Sequence, residues 1–176
     1  ILELYEAKHR LIDQGYEIEY FHASEDRQVT RDVVFSILSG LKRARVDSIA
    51  IRKRRLYPPF RQPREFYPRM LDHLLKYPFD PHGLDVSKFE KVFVFMDRVS
   101  APRREREAII GGIKKFLKRE LGNVPYIALM HQSASHLYLQ AVDYFNWALY
   151  IRRERNEVRP WETIKTIVAS DFDIFT

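Results

Sequence analysis

The stretch KVFVFMD, residues 91–97, decides the fold predicted for this chain. Its apolar residues follow one another without polar alternation, which is typical of a strand buried on both faces of a parallel sheet. Helical spacing follows over residues 103–121, and a second apolar run covers residues 124–130. A strand, a helix and a strand in this order predict an α/β fold with a largely parallel sheet.

The remaining pattern extends this prediction along the chain. Apolar spacing and turn residues predict the following elements: a helix from Ile1 to Ile12 that stops at Gly15, a strand over 16–21, a helix over 30–38 capped by Thr30, a strand over 46–51, a loop over 57–68, and helices over 67–77, 137–154 and 161–169. We find no internal repeat and no linker, so residues 1–176 are expected to form a single domain. The chain opens at Ile1 inside an amphipathic pattern, and we expect this domain to be incomplete at its N-terminus.

Composition limits which metals the chain could bind and indicates where the protein is located. Apolar residues make up 45% and charged residues 31% of the 176 residues, as in an ordinary globular protein. Because the chain has no cysteine, a bound metal would be held by carboxylate, imidazole or carbonyl groups, which favours Mg²⁺ or Mn²⁺. No apolar run approaches the roughly 20 residues that span a bilayer, and no signal peptide is evident, so we expect no membrane partner and a cytoplasmic location.

The net charge of +6 is concentrated in short basic clusters. One of them, Arg52-Lys53-Arg54-Arg55, continues a predicted strand and precedes the aromatic Tyr57-Pro58-Pro59-Phe60. Basic and aromatic residues interleaved on a loop favour binding to nucleic acid. A solvated surface is the alternative for any one of these clusters.

Two aspartates lie in apolar surroundings, where a carboxylate needs a hydrogen bond, a cation or a metal. Asp97 ends the buried strand, and Asp143 lies in the apolar helix that follows the next strand. Because ligands bind beyond the carboxyl ends of parallel strands, the two predict a shared metal site. The alternatives are an N-cap or an arginine pair for Asp97, and an arginine or tyrosine partner for Asp143.

Three further residues are candidates for catalysis. His131 ends the second apolar strand, and His22 and Glu19 lie at the exit of the predicted strand over 16–21. A histidine at such a place can orient water or protonate a leaving group. A buried structural histidine is the alternative for His131.

Several segments together resemble the domain of unknown function 3800 family. The likeness covers most of the chain, and its segments are FHASED (21–26), RDVVF (31–35), VFMDR (94–98), HQSAS (131–135), LQAVDY (139–144), WA (147–148), RRER (152–155) and DFDIF (171–175). That family is similar to ribonuclease-H-like proteins, so the resemblance implies a ribonuclease-H-like mixed sheet flanked by helices. It also implies that Asp97 and Asp143 are metal ligands. The family's opening Asp-Glu-Ser-Gly strand has no counterpart here.

Two functions follow as hypotheses. The first is a nuclease dependent on Mg²⁺ or Mn²⁺ that hydrolyses phosphodiesters of DNA or RNA, with Asp97 and Asp143 as ligands. The second is a non-catalytic nucleic-acid-binding or assembly module of the same fold, which the missing acidic strand favours. A subunit of an oligomer or of a larger nucleoprotein complex is a third alternative.

Overall fold

The computed structural model describes residues 1–79 and 84–174. The helices of this part of the chain are α1 (Leu2–Asp13), α2 (Gln28–Ser39), α3 (Pro63–Lys76), α4 (Arg103–Leu121), α5 (Leu137–Arg155) and α6 (Arg159–Ile164). Its strands are β1 (Val46–Ile51), β2 (Val92–Asp97), β3 (Tyr126–His131) and β4 (Val168–Ile174). Short 3₁₀ turns cover Lys53–Arg55, Pro58–Arg61, Val86–Lys88, Ser133–Ser135 and Lys165–Ile167. The fold is α/β, as the sequence predicts.

The four strands pair as two small parallel sheets, β1 with β4 and β2 with β3. Two side-chain hydrogen bonds fix the register of the first pair. Ser170 Oγ donates to Asp47 Oδ1 at 2.6 Å, and Ser48 Oγ donates to Asp171 Oδ1. In each bond the two residues are 123 positions apart in the chain. The separation stays constant because paired residues of parallel strands advance together.

The structure divides into two compact units. Unit 1 comprises Ile1–Val46 and His131–Ala169 and is built mainly from helices. Its core contains residues from α1, α2, α5 and α6 together with the segment before α2, and its buried members are Leu4, Leu11, Phe21, Ala23, Val34, Phe35, Leu38, Ala141, Tyr144, Phe145, Ala148 and Ile164.

Unit 2 comprises Asp47–Met130 and residues 170–176, of which 170–174 are described. One face of α4 forms its core, at the helical spacing of Ile109, Ile113, Phe116, Leu117 and Leu121. Apolar residues of α3, β2 and β3 pack against this face. Residues 80–83, which the sequence predicts to be a turn, lie outside the described residues. That residues 1–176 form a single domain stays a prediction.

The strand predicted over residues 16–21 is wrong, because this segment is irregular. Its alternation is real, since Ile18 and Tyr20 are partly buried whereas Glu17 and Glu19 are exposed. A strand also needs a neighbour for its backbone groups, and none of the described strands pairs with this segment. Its last residue bonds instead to a side chain of α5.

The helix predicted over residues 161–169 is wrong in its second half. The helix α6 begins at Arg159, a 3₁₀ turn follows, and from Val168 the chain forms β4. Pairing with β1, more than a hundred residues earlier, outweighs local helical spacing. The loop predicted over 57–68 is also partly wrong, since α3 begins at Pro63, a residue type suited to a first helical turn. Thr30 is not the cap of α2 but lies 2% exposed inside it.

The other predicted elements are confirmed, with α4 and β1 at the predicted bounds. The predicted burial of β2 on both faces is wrong, since Phe93 is 53% exposed. The predicted stop at Gly15 is a Schellman motif with Gly15 at φ 89°. Gly15 N–H donates to the Ile12 carbonyl at 2.9 Å, and Tyr16 N–H donates to the Leu11 carbonyl at 3.0 Å. None of the helices in the described residues is long and apolar enough to cross a membrane.

Helix α3 packs against α4 at Gly112, where a methyl group would lie 2.9 Å from Cβ of Pro68. Because the proline ring is rigid, we expect Gly112→Ala to force α3 away from α4. The loss of unfolding free energy should be about 1–3 kcal/mol, as for other overpacked cores. Denaturation by urea measures it.

The adjacent Gly111 is the matched control, since a methyl group there meets nothing within 4 Å. Gly111→Ala should raise the unfolding free energy by about 0.5–1 kcal/mol through helix propensity. Equal stability of the two variants would show that the contact with Pro68 is not tight.

Candidate functional site

One face of α5 organises the segment that precedes α2 in unit 1. Gln140, Asp143, Tyr144 and Trp147 are spaced by three, four and seven residues, which places them on one side of a helix. Each of them contacts residues 21–31. The segment before α2 and one face of α5 therefore meet in space.

Gln140 is 4% exposed, and three hydrogen bonds satisfy its amide group. Its Oε1 accepts a hydrogen bond from Phe21 N–H at 3.1 Å. Its Nε2 donates to the carbonyls of Ser133 at 3.0 Å and Ala134 at 3.1 Å. This one side chain joins the segment before α2 to the turn before α5.

Asp143 is half-buried, and its Oδ2 accepts a hydrogen bond from Ala23 N–H at 2.9 Å. From the sequence we considered an arginine or a tyrosine as the partner of Asp143. Its partner in the structure is the backbone N–H of Ala23. Asp143 belongs to unit 1 and Asp97 to unit 2. Their predicted shared metal site stays a prediction.

Asp26 and Tyr144 form a second polar contact on the same face. Asp26 Oδ2 accepts hydrogen bonds from the Tyr144 hydroxyl and from His22 N–H, the latter at 2.9 Å. Burial raises the pKa of Asp26 above its ordinary value, although both donors oppose the rise. Burial and the Asp26 carboxylate raise the pKa of Tyr144 well above its ordinary value, so the phenol remains a donor.

Arg31 closes the cluster from α2. Its Nη1 donates to the Ala23 carbonyl at 3.0 Å, and its guanidinium carbon lies 5.0 Å from the centre of the Trp147 ring. That distance is within the range of a cation–π contact. Asp143 thus accepts from the N–H of Ala23, and Arg31 donates to the carbonyl of the same residue.

Of the predicted catalytic residues in the first segment, His22 lies in this cluster and Glu19 does not. His22 is half-buried, and its Nδ1 lies 3.1 Å from Ser24 Oγ. Glu19 is exposed, and its carbonyl accepts a hydrogen bond from the Lys8 ammonium. Neither residue lies at the end of a strand, contrary to the prediction.

The two candidates at strand ends are placed as predicted along their strands. Asp97 is the last residue of β2 and His131 the last residue of β3. The apolar surroundings predicted for Asp97 are wrong, since it is exposed, and its Oδ1 accepts the Arg98 N–H at 2.8 Å. His131 is half-buried, with its ring centre 5.1 Å from that of His136.

A protein site for Mg²⁺ or Mn²⁺ needs several donor side chains around one point. Within residues 1–79 and 84–174, no three His, Asp or Glu side chains form a group that could hold one. Asp143 already accepts a backbone hydrogen bond with one of its oxygens. The described residues alone do not supply a complete Mg²⁺ or Mn²⁺ site, so binding of either ion stays a prediction.

The predicted nucleic-acid-binding residues lie on a turn of unit 2. Lys53–Arg55 forms a 3₁₀ turn directly after β1, closed by a hydrogen bond of 2.8 Å from Arg55 N–H to the Arg52 carbonyl. Arg52, Arg54 and Arg55 are exposed. We call residues 52–55 the basic turn.

Arg61 shapes the basic turn and was missed by the sequence analysis. Its Nε donates to the Leu56 carbonyl at 3.0 Å, and its Nη2 donates to the Arg54 carbonyl at 2.9 Å. Leu56 is 4% exposed and anchors the end of the turn. Nothing in the local sequence distinguishes Arg61 from its basic neighbours, because its partners are backbone carbonyls.

Gln140 and Tyr144 were also not predicted as organising residues. A signal was present, since polar side chains spaced by three or four residues in an apolar helix need buried partners.

Comparison of the chain with known protein families, characterised proteins and solved structures gave no match. The family resemblance therefore stays a prediction.

We expect Tyr144→Phe to lower the unfolding free energy by about 1–3 kcal/mol at neutral pH, because Asp26 loses a donor. The ring keeps its contact with Phe35, whose centre lies 5.2 Å away. Since the phenol stabilises ionised Asp26, its removal raises the pKa of Asp26 further. The loss should therefore be largest above that pKa and shrink as pH falls through it.

Urea denaturation at neutral and mildly acidic pH measures both effects. Tyr150→Phe is the control on the same helix, since Tyr150 is 54% exposed and its change should stay within about 0.5 kcal/mol. A Tyr144→Phe protein as stable as wild type at neutral pH would contradict the importance of this contact.

Proposed function

We propose that the protein binds nucleic acid through the basic turn. The observation that carries the proposal is the hydrogen bonding of Arg61, which holds the backbone of the turn while Arg52 and Arg54 remain exposed. A preformed turn loses less conformational entropy on binding than a flexible loop. Exposed guanidinium groups are well suited to phosphate oxygens.

Charge and aromatic content support the same function. The chain carries a net charge of +6, and Tyr57 beside the turn is 65% exposed. Phosphate neutralisation supplies affinity that depends on salt, and an exposed ring offers a surface for a base. The ribonuclease-H-like arrangement and a cytoplasmic location belong to this proposal as the context that the sequence favours.

The double variant Arg52→Ala/Arg54→Ala tests the proposal. We expect weaker binding to both DNA and RNA oligonucleotides, because two phosphate contacts are lost. The slope of log affinity against log salt should fall by roughly 0.7–0.9 for each lost contact. Fluorescence anisotropy with labelled oligonucleotides over a range of salt concentrations measures both quantities.

The control variant Arg104→Ala/Lys114→Ala removes the same charge from exposed positions of α4. It should leave the slope close to that of wild type. The proposal fails if wild type binds no oligonucleotide at low salt, or if both double variants weaken binding equally.

A metal-dependent nuclease is the second candidate, favoured by one observation in unit 1. Asp143 bonds to the segment that contains His22 and Asp26, and its carboxylate is half-buried there. Carboxylates at such a place are typical of sites that bind Mg²⁺ or Mn²⁺. Asp97, His131 and Glu19 remain the other residues predicted for this activity.

Asp143→Asn separates this candidate from simple binding, because the amide oxygen still accepts the Ala23 N–H. If the candidate is right, calorimetric binding of Mn²⁺ and cleavage of DNA or RNA should be lost, as they should in Asp97→Asn. Glu25→Gln, at an exposed position of the same segment, is the control and should retain both. Cleavage at wild-type rates by Asp143→Asn would exclude this role.

A further inference from the structure

A groove in unit 2 lies beside the basic turn. It has a volume of about 510 Å³, within the range of roughly 300–1,000 Å³ found for ligand sites. Residues of α3, α4 and the turn over Pro58–Arg61 line it. The side chains that matter here are aromatic or basic: Phe60, Phe66, Arg69, Lys115, Phe116 and Arg119.

The positive charge of this groove is only partly neutralised. Its one acidic lining residue, among those described, is Asp72, which pairs with Lys76 at 3.0 Å and with Arg119 at 3.1 Å. Burial alone would raise the pKa of Asp72, but these two partners hold it below its ordinary value. Arg69 and Lys115 are exposed, and within the described residues neither pairs with a carboxylate.

Planar groups accompany this charge. The guanidinium carbon of Arg69 lies 4.3 Å from the centre of the Phe60 ring, and that of Arg119 lies 4.9 Å from the centre of Phe116. Phe60 and Phe66 are partly exposed, whereas Phe116 is buried. Phe60, Phe66 and Arg69 therefore offer planar surfaces at the groove, on which unpaired bases can stack.

The groove and the basic turn are continuous. Leu56 lines the groove, and its carbonyl accepts the hydrogen bond from Arg61 that holds the turn. Phe60 also lines the groove, and its ring centre lies 5.7 Å from that of Tyr57. The groove therefore begins where the basic turn ends.

We propose that this groove binds unpaired bases, so that the preferred ligand of the protein is single-stranded nucleic acid. The proposal rests on the proposed function and specifies its substrate class. Phosphates contact the basic turn and Lys115, and bases stack on Phe60 and on the guanidinium of Arg69. In a duplex the bases are already stacked on each other, so a duplex uses the basic residues alone.

The test compares a labelled oligothymidylate with a DNA duplex of equal length by fluorescence anisotropy. Wild type should bind the single strand about tenfold more tightly or better, as expected for one stacked base. Phe60→Leu removes the ring and keeps an apolar side chain. Arg69→Lys keeps the charge and removes the planar group. Each variant should weaken single-strand binding about tenfold and leave duplex binding unchanged.

Matched controls exist in the same unit. Phe93→Leu changes a phenylalanine of β2 that is 53% exposed and does not line the groove, and Lys114→Ala removes an exposed charge from α4. Both should bind the single strand as wild type does. Circular dichroism shows whether Phe60→Leu is folded. If Phe60→Leu is unfolded, Arg69→Lys still tests the groove.

The outcomes separate this inference from the proposed function. Equal binding of single strand and duplex, reduced by Arg52→Ala/Arg54→Ala but not by Arg69→Lys, overturns the groove and leaves the proposed function standing. Binding of neither probe by wild type at low salt overturns both. Selective loss of single-strand binding in Phe60→Leu and Arg69→Lys supports both.

Discussion

The segment from Phe21 to Asp26 has no neighbouring strand among those described, and its buried backbone groups must still form hydrogen bonds. Side chains of α5 meet this requirement: Gln140 for Phe21 N–H and Asp143 for Ala23 N–H. Because Tyr144 lies on the same face and is fully buried, the segment, α2 and α5 form one core. Most of the polar side chains near the predicted site are therefore structural supports as well as candidates for chemistry.

Unit 2 depends on a different constraint, the close approach of α3 to α4. The absence of a side chain at Gly112 lets Pro68 lie against α4, which brings Arg69 and Asp72 beside Lys115 and Arg119. The groove proposed to bind bases is a consequence of this packing. Its charge is set by which cations Asp72 neutralises and which remain exposed.

The two candidate activities place different demands on the molecule. Binding to nucleic acid requires exposed cations and planar groups, which unit 2 holds on backbone fixed by Arg61. A metal-dependent nuclease requires several carboxylates around one ion, and the described residues bring no such group of three together. The exposed cations and planar groups of unit 2 are the reason that we propose nucleic-acid binding first, with hydrolysis as the second candidate.

The sequence by itself determined the elements whose signals are local. The uninterrupted apolar run of β2, the helical spacing of α4 and α5 and the glycine after α1 each depend on neighbouring residues, and these predictions are confirmed. Tertiary structure alone decided the irregular path over residues 16–21 and the change from helix to strand at Val168, because each depends on partners more than a hundred residues away. The same holds for Gln140, Arg61 and Gly112. Their roles come from a carbonyl, an N–H group or a ring that only folding brings near.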